Sequence, residues 1–110
     1  LNTTDLVELV RQENARVSVL NGSSYSGLAA RTTDYLKSQG INVVETGNAA
    51  NLTATTEITF FTGKPYTLKF LVELMAINPY RIRHLFDPTK PADIEIVVGD
   101  DWALSGKLPD

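Results

Sequence analysis

Arg16-Val17-Ser18-Val19-Leu20-Asn21-Gly22-Ser23-Ser24-Tyr25-Ser26-Gly27-Leu28-Ala29-Ala30 changes its hydrophobic period halfway along. Residues 16–20 are rich in β-branched side chains and read as a strand. Residues 21–27 concentrate Asn, Gly and Ser, which tolerate positive φ or bond their own backbone, and read as a turn. From about Gly27 to Gln39, Leu28, Ala29, Thr32, Tyr35 and Leu36 return at helical spacing, with Ser26 placed to cap and Gly40 at the stop position. A strand that passes through one tight turn into a helix opens a mixed α/β fold.

Working outward, the N-terminal stretch (residues 1–14) reads as a short helix or linker. Thr3 or Thr4 can cap it, and Leu6, Val7, Leu9 and Val10 form its apolar stripe. At about ten residues such a helix is marginal alone and has to dock on the body. Downstream, Ile41–Thr46 reads as a strand, 51–56 as a polar loop, Glu57–Thr62 as a strand with Phe61 out of pattern, and Lys64–Ile77 as a helix with Pro65 in its first turn. Tyr80–Phe86 reads equally as a short strand or irregular chain. Ile94–Val98 is the last strand, and Gly99-Asp100-Asp101-Trp102 terminates it. The order predicts an α+β, ferredoxin-like βαββαβ sandwich with an extra N-terminal helix: a mostly antiparallel four-stranded sheet with both long helices on one face. The folded unit spans residues 15–103, and 104–110 read as a flexible tail.

The chain has 110 residues, room for one domain with a real core. It has no cysteine, which removes disulfides, thiolate metal sites and cysteine nucleophiles together. It holds no apolar run long enough to cross a bilayer. It starts at Leu1 without methionine or a signal-like stretch, which reads as a piece of a longer protein. The formal net charge is −3, with the acidic excess after residue 86. The one basic cluster, Arg81-Ile82-Arg83-His84, is too small for indiscriminate nucleic-acid binding, so nucleic acid is a disfavoured partner.

Candidate chemistry is sparse. His84 is the only histidine and sits between arginines, and no serine lies in a G-x-S-x-G elbow, so a histidine-based hydrolase is not expected. Asp93, Glu95, Asp100 and Asp101 lack the spacing of a calcium loop and read as turn closure or helix capping, with Asp93 and Glu95 on one strand face toward solvent. The turn Asn21, Gly22, Ser23, Ser24 to Gly27 lies before a helix start, where backbone N–H groups can hold an anion. Leu28 and Ala29, however, occupy the Lys and Ser/Thr positions of a phosphate loop. The plain reading is a tight turn, and the functional one is a site for a sugar, phosphate or peptide. Asp100, Asp101 and Trp102 form a second candidate, since an indole can stack on a sugar while carboxylates bond its hydroxyls. No cofactor or metal is expected. The helix at 64–77 carries a second apolar stripe, Phe70, Leu74 and Ile77, which either the N-terminal helix covers or a neighbouring domain or subunit does.

The series Val17-Ser18-Val19-Leu20-Asn21-Gly22-Ser23, Gly27-Leu28-Ala29-Ala30, Gly40-Ile41-Asn42-Val43-Val44, Gly47-Asn48-Ala49, Thr56-Glu57-Ile58-Thr59-Phe60 and Ala92-Asp93-Ile94-Glu95-Ile96-Val97-Val98-Gly99-Asp100-Asp101-Trp102 resembles the LytR C-terminal domain. That module is found behind the catalytic domain of LytR/CpsA/Psr cell-envelope proteins, and the likeness spans residues 16–102. The resemblance implies a protein anchored in the bacterial cytoplasmic membrane through a segment absent from this chain, with its domains outside. It implies that an adjoining domain, not this one, transfers polyprenyl-linked glycopolymer, and that this module is accessory. The expected function is therefore a non-catalytic domain engaging peptidoglycan, another envelope glycopolymer or the adjoining catalytic domain. The alternatives are self-association into a homo-oligomer through Phe70, Leu74 and Ile77, and transcriptional attenuation through nucleic acid.

Overall fold

The computed structural model describes residues 2–109; Leu1 and Asp110, the outermost residues of the expected N-terminal helix and C-terminal tail, lie outside them. Helix α1 (Thr3–Glu13) leads to β1 (Arg16–Asn21), α2 (Leu28–Ser38), β2 (Asn42–Asn48), β3 (Glu57–Phe60) and α3 (Pro65–Met75). A 3-10 turn (Pro79–Arg81), β4 (Ile82–His84), β5 (Ile94–Val98) and α4 (Asp100–Leu104) follow.

The caps explain the boundaries. Asn2, rather than Thr3 or Thr4, caps α1: its Oδ1 accepts the Asp5 N–H at 2.9 Å. Helix α2 starts at Gly27 without a side-chain cap, so Ser26 does not take that role. It stops where Gly40, at φ 88°, lets the Ile41 N–H turn back to the Leu36 carbonyl at 3.0 Å. Helix α3 starts on Pro65 as expected but is capped from a distance. The Glu13 carboxylate, at the end of α1, accepts the N–H groups of Tyr66 and Thr67 at 3.0 and 2.7 Å. It ends at Ala76 in the left-handed region, before the Asn78-Pro79 stop the sequence suggests.

The sheet is five-stranded, ordered β2-β1-β5-β3-β4. The β1·β2, β1·β5 and β3·β4 pairs are parallel and only β3·β5 is antiparallel. The molecule is thus mixed α/β and compatible with the α+β class, but the expected ferredoxin-like, mostly antiparallel four-stranded sheet is corrected in three respects, the first being that three of the four strand pairs are parallel. The chain returns from α2 to lay β2 directly beside β1 instead of leaving a gap for another strand. The undecided stretch after Tyr80 supplies a fifth, edge strand on β3. Hydrophobic period identifies strands but carries no information on which strands become neighbours.

All the core lies on one side of this sheet. Val17, Val19, Val43, Ile58, Ile94, Ile96 and Val98 face Leu6, Val10, Leu28, Leu36, Leu71, Met75 and Trp102 of the helices. Helix α1 packs on α3. Ile77 is buried, Phe70 sits beside Val7 and Val10 of α1, and Phe70 and Leu74 are half-buried against the core. The second stripe of α3 is therefore largely covered by this chain's own residues. In the expected tail, Leu108 packs on the core.

Candidate functional site

The turn after β1 is held by the protein's own acceptors. Gly22 N–H donates to the Val98 carbonyl at 2.9 Å, Ser23 N–H to Asn21 Oδ1 at 2.9 Å, and Tyr25 N–H to Ser23 Oγ at 3.1 Å. Ser24 donates its N–H and its hydroxyl to Asp100 Oδ1 at 2.8 and 3.0 Å. The negative charge that such a turn attracts is thus an internal carboxylate, and the N–H groups of residues 22–25 are not available to a bound phosphate. This contact also joins the two segments singled out from the sequence.

Asp101 plays the matching part for the loop before β3. Its Oδ1 accepts the Thr56 N–H at 3.0 Å and the Thr56 hydroxyl at 2.6 Å, and Thr56 Oγ1 in turn accepts the Gly99 N–H at 3.0 Å. The loop passes so close to Gly99 that a Cβ there would lie 2.7 and 2.8 Å from the backbone C and N of Thr55. Gly22 is likewise packed, against Val97 and Thr53. Asp100 and Asp101 therefore close turns, as the plainer reading of them holds. Trp102 is 2% exposed and its Nε1–H donates to Thr32 Oγ1 at 2.9 Å. It anchors α4 in the core and offers no face for a sugar to stack on, which corrects the functional reading of that residue.

Asp93 is also corrected. It is 4% exposed rather than solvent-facing, and its carboxylate accepts from Arg16 N–H at 2.8 Å, Arg16 Nη2 at 2.9 Å and Thr62 Oγ1 at 2.6 Å. Burial acts to raise its pKa, but the bonds from the Arg16 guanidinium, the Thr62 hydroxyl and the Arg16 N–H outweigh it and hold the carboxyl well below the usual carboxylate range. This is a staple between the starts of β1 and β5.

The side of the sheet away from the helices carries a different arrangement. The register pairs Glu45 with Ser18, Ser18 with Glu95, Glu95 with Thr59, and Thr59 with Arg83. Five neighbouring strands therefore contribute one polar side chain each to a single row, roughly 19 Å across at the usual strand spacing. Ser18 Oγ donates to Glu45 Oε1 at 2.7 Å within it. The adjacent row runs Gly47, Leu20, Val97 and Glu57, with Arg81 ion-paired to Glu57 at 3.3 Å. Over the centre of this second row the 49–53 loop forms one wall of a groove of about 330 Å³, with Leu20, Val97, Glu57 and Glu95 as its lining from the sheet. An apolar strip bordered by carboxylates suits a ligand with hydroxyl or amine edges and an apolar ring face. Sequence reasoning missed these residues. The alternation of Glu95 and Val97 with Ile94, Ile96 and Val98 marks a second face, but the row itself exists only through register between distant segments.

The geometry defines a class: an α/β module whose polar clusters at the turns are spent on its own backbone and whose helix-free sheet face is flat and polar. The chain belongs to the LytR cell envelope-related transcriptional attenuator family, whose model matches residues 14–102. Among solved structures it is similar to the soluble domain of a conserved hypothetical secreted protein from Mycobacterium marinum, with 22% identity, 92% of this chain and 70% of that one covered, and a TM-score of 0.58. At that identity the likeness is one of fold. No curated protein matches the chain. Among the described residues no helix is long and apolar enough to cross a membrane.

Proposed function

We propose that this domain is a non-catalytic accessory module of a membrane-anchored cell-envelope protein, working outside the cytoplasm, and that it grips envelope glycopolymer across the helix-free face of its sheet. The observation that carries this reading is the row of Glu45, Glu95, Thr59 and Arg83, in which the buried Ser18 holds Glu45 in place, flanked by the groove over Leu20 and Val97. Rows of carboxylate and hydroxyl groups bond the hydroxyls of an extended glycan, while the apolar strip takes the ring face. Family membership and the fold shared with a secreted protein's soluble domain support the setting.

The test is amide chemical-shift mapping during titration with muropeptides and glycan strands. Saturable shifts on Leu20, Glu45, Thr59, Glu95 and Val97 are expected, weakened in Glu95→Leu. Shifts confined to other faces, or none at millimolar ligand, refute it. A second reading is docking of the adjoining catalytic domain or of another copy, supported by the apolar groove of about 110 Å³ between Val7, Val10 and Phe70. A mass that rises with concentration, or α1 shifts on adding the catalytic domain, would favour it.

A further inference from the structure

Beyond the glycopolymer reading, the β4 edge of the sheet carries a surface that the fold leaves unexplained. Tyr80 is 95% exposed, Phe86 80% and Leu85 53%, all within seven residues around a three-residue edge strand. The core does not use these side chains, and no turn requires them. Around them the segment 79–91 holds Arg81, Arg83 and Lys90 against one carboxylate, Asp87, in a chain whose formal net charge is −3. That carboxylate is committed locally, accepting the Thr89 N–H and hydroxyl at 3.0 and 2.6 Å. Lys90 stands 5.4 Å from the centroid of the Phe61 ring, which places its charge beside the same margin. Tyr80, Arg81 and Arg83 line one shallow recess with Glu57, so the aromatic and cationic groups share one rim.

We infer that this rim is a membrane-contact surface that rests on an anionic phospholipid bilayer. Amphipathic Tyr and apolar Phe and Leu enter the headgroup region, and Arg and Lys are drawn to anionic headgroups. A polyanion such as nucleic acid fits less well. Three cations, one of them already paired with Glu57, release few counterions, whereas Leu85 and Phe86 gain nothing from a phosphate backbone. Neither apolar insertion nor charge attraction is sufficient alone, so binding is reversible and depends on both.

The experiment is co-sedimentation of this chain with phosphatidylcholine vesicles, with and without phosphatidylglycerol. Retention only on the anionic vesicles is expected, falling with added salt. Lys90→Glu, at a cation outside the polar row, should weaken it at least about fivefold, the contribution of a single cation near an anionic surface. Phe86→Ser should weaken it at unchanged charge. Both positions are exposed, and an unaltered melting curve confirms the fold of each variant. No retention, equal retention on neutral vesicles, or indifference to Phe86→Ser overturns the inference. So does tight, salt-dependent capture of an oligonucleotide without vesicle binding. The vesicle assay contains no glycan and the glycan titration, read at Leu20, Thr59, Glu95 and Val97, contains no lipid, so the failure of one reading is distinguishable from the failure of the other.

Discussion

Replacing Asp93 by asparagine keeps the shape of the side chain and removes its charge. In the folded protein this carboxylate accepts from the Arg16 guanidinium, the Arg16 N–H and the Thr62 hydroxyl within 2.6–3.3 Å. Hydrogen bonds to a charged group contribute about 1.5–3 kcal/mol each when buried. The amide of asparagine retains one acceptor oxygen and turns an N–H₂ toward donors that need an acceptor. The Arg16 side chain is 46% exposed, so water recovers part of its loss. The net cost is about 2–3 kcal/mol, which for a domain of this size lowers the melting temperature by about 10 °C at neutral pH. The sign of the pH dependence follows from the lowered pKa. The stabilisation is fully present above the unfolded aspartate value near 3.9 and is lost as pH falls from there toward the lower folded value. The gap between wild type and Asp93→Asn, followed by thermal circular dichroism, should therefore be constant above about pH 5 and close progressively in stronger acid. A variant that melts with the wild type at pH 7, or a gap that is unchanged in acid, refutes the staple.

Two further substitutions probe the backbone. Gly99→Ala drives a methyl to 2.7–2.9 Å from backbone atoms of Ala54 and Thr55, in a loop held to residues 99–101 through the Thr53 and Ala54 carbonyls and the Thr56 hydroxyl, and should cost about 2–3 kcal/mol in urea unfolding. Gly22→Ala meets mainly the side-chain methyls of Val97 and Thr53 and should cost less; the reverse ranking would contradict the packing described. Ala76 ends α3 at φ 52°, where a Cβ is strained, so Ala76→Gly should raise stability by about 0.5–1 kcal/mol, and a loss would show that the left-handed cap is not strained.

Much of the chain announces its local structure. Val17, Val19 and Leu20 before Asn21-Gly22, the apolar faces of α2 and α3, Pro65 and Gly40 all act within a few residues, and each element they mark is present. What the sequence does not show is mostly non-local, with the choice of helix cap a local exception. Asn2 outcompetes Thr3 and Thr4 as a cap by geometry alone. Glu13 caps a helix more than fifty residues away. Asp93 looks like one of several surface carboxylates until Arg16 and Thr62 are brought to it. The polar row across the sheet requires four strand pairings to be known at once. Trp102 is ambiguous by composition, because an indole serves a core and a sugar site equally well; the hydroxyl of Thr32 decides it.

The position of β5 bears on how the chain is made. Residues 94–98 form the only strand paired with both β1 and β3, so the β1–β2 half and the β3–β4 half have no ladder between them until it arrives. A nascent chain leaving the ribosome therefore carries Val17 and Val19 on an open strand edge until residues 94–98 have emerged. Within this domain its closure comes after the other four strands have been made. A stalled or clipped product lacking that strand presents two half-sheets with sticky edges, the form that chaperones hold and proteases remove.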